Sequence, residues 1–475
     1  MPRVRNMPET SSSRRTIAWL RGDLRLDDHP ALAAAMRRGD GGCLPIFIST
    51  PGTWRRHHWG EPKLGMIAGG VRAAQAKLIA HGLKLRVLEV ESPDSREIAI
   101  LLATLVRHLD IDEVHAGREF GVDENERDRQ VAERLDADDR ALILHEDQTI
   151  LPVRDIRSGA GTPYTVFTPF RKKWMKQLSE QGRPDLHVLP SAGRTSSIES
   201  DGPLPGEITA EDLAARFPAA DFEPGEAEPA RRLASFLDHP IQRYHDDRDP
   251  PAIDGTSTLS PWLACGSLSP RRAVTEMMDR YGDDAGTWDE GPATWLSELV
   301  WRDFYRHVMD GIPRLSMNRP LHGWSDRVAW NEDPEAFTAW CEGRTGIAIV
   351  DAGMRQLAAT GWMHNRVRMI VATFLAKHLL VDWRKGERFF LESLADADFP
   401  SNNGGWQWAA STGTDAAPYF RVFNPDTQRE RFDADRTYVR RWAPDHLDGT
   451  APEPMVELKA ARARAIEAFK TAKNG

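Results

Sequence analysis

Hydrophobic positions over the first 150 residues fall into two alternating periods. TIAWL (16–20), CLPIFI (43–48), LKLRVLEV (83–90), EVHAGREF (113–120) and ALILHED (141–147) are short, nearly continuous apolar runs and read as buried strands. Between them, stretches such as MIAGGVRAAQAKLIAHG (66–82) and SREIAILLATLVRHL (95–109) space their apolar residues as helices do. Strands apolar on both sides need cover on both faces, and strand–helix alternation supplies it. The pattern therefore predicts an α/β domain, a doubly wound five-stranded parallel sheet over residues 16–150. Such sheets take ligands beyond the carboxyl ends of their strands. No G-x-G-x-x-G follows the first strand, so a dinucleotide pyrophosphate is not expected there.

A Pro-, Gly- and Ser-rich acidic stretch from Pro190 to Pro229 reads as an interdomain linker. Beyond Ala230 the strand signal fades. TWLSELVWRDFYRHVM (294–309) has helical period, as does the long segment 346–380, which divides into two helices near Gly361. No repeat or heptad pattern is present. The organisation expected is a flexible tail (1–15), the α/β domain (16–150), an interdomain connection (151–229) and a larger all-α domain (230–475).

Composition changes this picture in a few places. A chain of 475 residues exceeds one comfortable core, which supports two domains. No apolar run is long enough to span a membrane. The start, MPRVRNMPETSSSRR, has no apolar segment of a secretory signal, and reads as a disordered tail rather than a transit peptide. Cys43, Cys265 and Cys341 lie far apart, with neither a disulfide framework nor zinc spacing, so no metal is expected and a reducing compartment suits the chain. The net charge of -9 argues mildly against nucleic acid, but binding depends on where charge sits. Only 11 of the 62 basic residues are lysine. Arginine's planar fork suits phosphates, and a GC-rich genome would give the same bias. Of 16 tryptophans, 12 lie beyond residue 250.

Three stretches of the helical part concentrate polar chemistry. In DGTSTLSPWLACGSLSPR (254–271), Thr256, Ser257, Thr258 and Ser260 precede a Pro and a helical run. Hydroxyls at a helix start either cap it or, in this number, hold an anion. On 294–309, Glu298, Trp301, Arg302 and Tyr305 share a helix face, which is either a salt-bridged surface or an aromatic recess with a carboxyl. In GWMHNRVRMIV, Trp362, Asn365, Arg366 and Met369 share a face while Arg368 points elsewhere, and a mid-helix Asn suggests a use for its amide. NNGGWQWAASTGTD (402–415) sets Trp406 and Trp408 in a bed of small and amide residues, with Asp396 and Asp398 just upstream. Small residues let backbone and amides approach a flat ligand. A tryptophan beside a redox cofactor can pass it electrons.

Together these motifs, in order and spacing over about residues 15–445, resemble the photolyase/cryptochrome family, and most closely its class I cyclobutane pyrimidine dimer photolyases. The resemblance implies FAD in the helical domain. Tyr244, Thr256, Ser257 and Ser260 match its phosphate-side contacts. Arg368 and Asp396 match a salt-bridged pair against the isoalloxazine, Asp398 another flavin-side residue, and Asn402 the asparagine facing flavin N5. Trp406, Trp383 and Trp330 match a chain carrying electrons from the surface. Glu298 matches the carboxyl that hydrogen-bonds the dimer, with Trp301, Asn365, Met369 and Trp408 lining the lesion pocket. Arg366 matches a phosphate contact, and Arg421 is placed for another. The implied activity is light-dependent repair of UV-damaged DNA by electron transfer from excited reduced FAD to a flipped-out dimer.

Departures narrow the expectation. Six-four photolyases carry histidines where this chain has Asn365 and Met369. Cryptochromes of plants and insects replace the Asn402 equivalent with Asp or Cys. A cryptochrome-like blue-light receptor without repair activity is the alternative. Asn125 and Glu126 match contacts to a methenyltetrahydrofolate antenna, but Ser316 and Met317 stand where folate-binding members carry Cys and Lys, so the antenna is folate, a deazaflavin or absent. A monomer with no membrane partner, cytoplasmic and nucleoid-associated if prokaryotic, is expected.

Overall fold

The computed structural model describes residues 13–475 except 194, 200, 201, 219, 220 and 417. The tail expected at 1–15 falls almost wholly outside these residues. All five expected strands form: β1 (Arg15–Leu20), β2 (Gly42–Ser49), β3 (Arg86–Glu89), β4 (Glu113–Gly117) and β5 (Ala141–His145). They are parallel to one another, in the spatial order β5-β4-β1-β2-β3. Alternate residues of β1, β2 and β3 serve two cores. Ala18, Leu20, Phe47 and Val87 join a core with the Glu61–Ala80 helix. Ile17, Trp19, Ile46 and Leu88 join another with the Ser95–His108 helix. This is the two-sided cover that the apolar strands require.

The stretch read as a linker, Pro190–Pro229, carries regular structure: a sixth strand β6 (Glu207–Ile208) and the Ala210–Arg216 helix, and the Phe167–Gln181 helix precedes it. β6 pairs antiparallel with β3 and covers the sheet edge, and Glu207 forms an ion pair with the buried Arg86. The sheet thus has six strands rather than five. Two residues of strand are too short for a periodic signal, which is why composition alone suggested a loop.

One core crosses from the sheet into the helical part. It joins Leu20 and Phe47 to Phe170 and Trp174 and on to Trp262, Trp295 and Phe304. Buried arginines stitch the same seam. Arg271 bonds Asp28 and Asp147, each at 2.9 Å, and Arg25 bonds Asp147 and the Gly266 carbonyl. Burial alone would raise the Asp147 carboxyl; the two guanidiniums hold it well below the usual range.

Beyond residue 226 the described elements are helical. Those that build the site are Glu290–Gly311, Ala348–Thr360, Asn365–Thr373, a π-helical turn at Phe374–His378, Trp383–Ser393 and Phe399–Ala410. The division near Gly361 is real. Gly361 ends its helix at φ +65°, a conformation that favours glycine. No described helix is long and apolar enough to cross a membrane.

Candidate functional site

The hydroxyl run does not act as a helix cap. The six-residue helix Ser260–Cys265 begins after Leu259, with no side-chain cap hydrogen bond. Instead Ser257 Oγ accepts from the Trp295 indole at 3.3 Å, and Ser260 Oγ accepts from Trp362 at 3.4 Å. Thr258 takes φ +48° and accepts from Arg232. Thr256 stays half-buried beside them, and the buried Tyr244 packs edge-on to Phe236 at 5.8 Å. Tryptophans therefore hold the loop in place and leave its hydroxyl oxygens with acceptor capacity to spare.

A second group forms around the start of the Phe399–Ala410 helix. Arg368 donates to Asp396 Oδ2 at 2.8 Å and to the Met363 carbonyl at 2.7 Å. The other Asp396 oxygen is buried without a hydrogen-bond partner among the described residues. An unmet buried carboxylate oxygen is costly, and it marks a place where a donor belongs. Asp398 caps the helix through the Ser401 amide and takes Arg306 at 2.6 Å. Burial would raise its pKa, but Arg306 and Arg302 hold it well below the ordinary value. One turn later Asn402 donates to the Glu387 carbonyl at 2.9 Å. The Glu387 carboxyl, pushed up to about 7 by burial, accepts from Asn403, which in turn accepts from Gln407.

Trp406 lies on this helix and is 2% exposed. Its ring rests on the backbone of Gly386, where an added Cβ would sit 2.2 Å from the indole. Gly386 is one turn into the helix that Trp383, fully buried, begins. Asn331, next to Trp330, bonds the carbonyls of Leu379 and Leu380. Trp330, half-buried, meets Phe469 edge-on at 5.7 Å. Trp406 and Trp383 belong to one buried cluster, and Trp330 packs against it, partly buried. The indole nitrogens of Trp406 and Trp330 are buried and have no partner among the described residues.

The Glu290–Gly311 helix differs from its sequence reading in one respect. Glu298 pairs with Arg248 at 2.8 Å, not with Arg302 one turn away. Arg302 instead bonds the carbonyls of Gln148 and Leu263, and burial and Arg306 lower it to about 9. Backbone carbonyls at the interdomain seam outcompete the helical partner because they would otherwise be buried unpaired. Burial raises the Glu298 carboxyl, with Arg248 the largest opposing influence. Trp301 stacks on Phe167 at 3.6 Å and 6°, and Tyr305 packs on Gly404 of the Trp406 helix. Trp408 meets Phe423 at 6.0 Å.

Asn365 is the first residue of its helix rather than a mid-helix one, and Trp362 precedes the helix altogether. The propensity argument for the Asn365 amide therefore fails; Asn365 is exposed for a positional reason. Arg366 pairs with Asp249 at 2.7 Å and covers the Phe432 ring, Met369 is half-buried, and Arg421 is exposed.

A cleft of about 430 Å³ separates sheet and helices. Residues just past the strand ends line it, Arg21, Thr50, Glu119 and Gln148 among them, opposite Arg302, Arg306 and Asp398. This is the location expected of a parallel sheet. Trp54 and Trp59 stack at 6.2 Å, and Lys63 lies 3.5 Å over the Trp59 ring. From the helix carrying Asn125 and Glu126, the lining residues are Val122, Asp123, Glu124 and Arg127. Asn125 donates to the Gly121 carbonyl, and Glu126 is bound by Arg129 and Gln130. Ser316 lines the cleft and accepts from the Val122 amide, while Met317 is 58% exposed.

Sequence reasoning missed Arg248, Asp249, Phe167 and Glu387. The first two lie in an irregular acidic segment, HDDRDPPAID, without period, and their partners are remote in sequence.

Comparisons with known proteins place the chain in a family. Residues 16–190 match the DNA photolyase family, and residues 295–449 match the FAD binding domain of DNA photolyase. The chain is 39% identical to the deoxyribodipyrimidine photo-lyase of Escherichia coli (strain K12), over 97% of this chain and 99% of that one. It is similar to the crystal structure of a class III photolyase from Agrobacterium tumefaciens, with TM-score 0.84 and 31% identity over 98% of this chain and all of that one. A cryptochrome of Synechocystis sp. PCC6803 is also similar, with TM-score 0.81 and 26% identity over 98% of this chain and all of that one.

Proposed function

Since the chain belongs to the DNA photolyase family, we propose a division of labour among its residues for the light-driven DNA repair that family performs. The enzyme has deoxyribodipyrimidine photolyase activity and binds FAD. The residues present fit that cofactor. The unmet Asp396 oxygen can accept from an N–H of a flat ring, and the loop hydroxyls and small residues around it permit close approach. When bound and reduced, FAD supplies blue-light excitation and the electron that opens the dimer's cyclobutane ring.

In this reading Tyr244, Thr256, Ser257 and Ser260 hold the phosphate side. The Arg368–Asp396 pair, Asp398 and Asn402 hold and orient the ring. Trp406, Trp383 and Trp330 relay electrons from the surface. Glu298 hydrogen-bonds the flipped lesion, while Trp301 and Trp408 give it stacking surface and Asn365 and Met369 complete its pocket. Arg366 and Arg421 meet DNA phosphates, so binding weakens as salt rises. The interdomain cleft holds a second chromophore, methenyltetrahydrofolate or a deazaflavin; its paired tryptophans and its place at the strand ends support this. We assign residues 16–150 to an antenna domain, 151–229 to the connection and 230–475 to the catalytic domain, in a cytoplasmic monomer acting on UV-damaged DNA.

The observation that carries the assignment is the half-satisfied Asp396 carboxylate just ahead of the helix that carries Asn402 and Trp406. The likeness to a cryptochrome favours a second reading, a blue-light receptor that repairs nothing. Incubating the reduced holoenzyme with a thymine-dimer oligonucleotide, in blue light and in darkness, separates them. Repair predicts restored thymines in the light only. Binding without restoration under illumination would establish the receptor.

A further inference from the structure

The mouth of the lesion site carries a closed set of charges. Arg248 and Asp249 are consecutive residues on one strand of chain. Arg248 reaches Glu298 at 2.8 Å, and Asp249 holds Arg366 at 2.7 Å. All four side chains are partly exposed, between 18% and 31%. Each guanidinium also lies over an aromatic ring, Arg248 at 5.4 Å from Tyr244 and Arg366 at 4.5 Å from Phe432. Two cations and two anions cancel, so the arginines best placed for phosphate are already committed to carboxylates.

We propose that Asp249 and Glu298 stand in for the DNA backbone in the free protein, and that Asp249 is thereby a specificity-determining residue. It keeps Arg366 positioned but neutralised, so undamaged duplex gains little by resting on the site. A flipped lesion brings its flanking phosphates within reach. They take Arg366 from Asp249 and Arg248 from Glu298, and the same exchange frees the Glu298 carboxyl to turn to the lesion. Phosphate can win because a guanidinium binds it as a bidentate fork, whereas each of these pairs is partly exposed, where an ion pair adds little. The rings beneath hold the guanidiniums in place during the exchange. The inference rests on the repair reading.

The test is equilibrium binding of FAD-loaded protein to two duplexes of one sequence, with and without a thymine dimer, at several salt concentrations. Asp249→Asn should bind undamaged duplex about five-fold more tightly, with a salt slope steeper by about one counterion. Affinity for the dimer duplex should rise less, so discrimination falls. Asp246→Asn, an exposed neighbour with no contact to Arg366, controls for lost negative charge and should not do this. Adding Arg366→Gln to Asp249→Asn should abolish the gain. Unchanged or weaker binding of undamaged duplex by Asp249→Asn overturns the proposal, as does an equal effect of Asp246→Asn or a gain that survives Arg366→Gln. Wild-type protein that fails to prefer the dimer would count against the repair reading itself, independently of these variants.

Discussion

Replacing Trp406 by Phe tests the separation of electron supply from lesion repair. The indole is almost wholly enclosed, by Phe390 at 5.1 Å, Trp340 at 6.0 Å and the Gly386 backbone. Its nitrogen has no hydrogen-bond partner among the described residues, so the substitution breaks no such bond. What it leaves is a cavity of roughly 40 Å³, worth about 1 kcal/mol, with a comparable contribution from lost apolar transfer. The expected destabilisation is therefore about 1–2 kcal/mol, and the fall in Tm a few degrees. Flavin content should be near that of wild type. Function should divide sharply, because phenylalanine resists the oxidation that an indole undergoes. Photoreduction of the oxidised holoenzyme, followed by the loss of blue absorbance under anaerobic illumination with an external reductant, should stop. Repair by chemically reduced protein should persist, since Glu298, Arg248, Trp301 and Phe167 make no ring or ionic contact with Trp406. Photoreduction at the wild-type rate would refute the relay. So would loss of repair in a reduced, flavin-replete variant.

Two further outcomes follow from buried contacts. Lys377 is fully buried, has no hydrogen-bond partner among the described residues, and lies 3.4 Å over the Phe469 ring; burial lowers its pKa from 10.5 to about 7. Between those pH values the unfolded chain keeps a proton that the folded chain has lost, so stability climbs with pH across that window, by up to about 5 kcal/mol. Lys377→Met should raise Tm below pH 7 and flatten the climb in melts from pH 6.5 to 9.5; an undiminished slope would assign the dependence elsewhere. At Gly404 an added Cβ would lie 2.1 Å from Tyr305, whose ring packs on Trp301 at 5.6 Å. Gly404→Ala should cost about 1–3 kcal/mol in urea unfolding and weaken dimer binding, and normal values of both would show that the Tyr305 ring moves freely.

Much of this architecture is written in local pattern. The inner parallel strands announce themselves as apolar runs because a doubly covered strand has no polar face to interrupt them, whereas β5, read as buried, lies at the sheet edge with Leu144 exposed. Gly361 marks a helix end because the left-handed turn there favours glycine. The small residues around Trp406 are legible for a similar reason, since Gly404 and Gly386 occupy points where ring meets backbone. The motif carrying Asp396, Asn402 and Trp406 is compact in sequence, and the helix Phe399–Ala410 delivers Asn402 and Trp406 just after Asp396.

Other features are decided by partners that sequence distance hides. β6 is two residues long and exists because the β3 edge and Arg86 await it. Arg302 abandons its helical neighbour Glu298 for carbonyls at the seam, and Glu298 takes Arg248 from 50 residues upstream. Asp396 and Arg368 could be named from sequence, but not that one carboxylate oxygen stays unmet. Periodicity records which face of an element is buried, because that is a property of consecutive residues. Which charge meets which, and which buried group is left waiting for a ligand, depends on chains brought together only when the cores close, where desolvation makes each pairing obligatory.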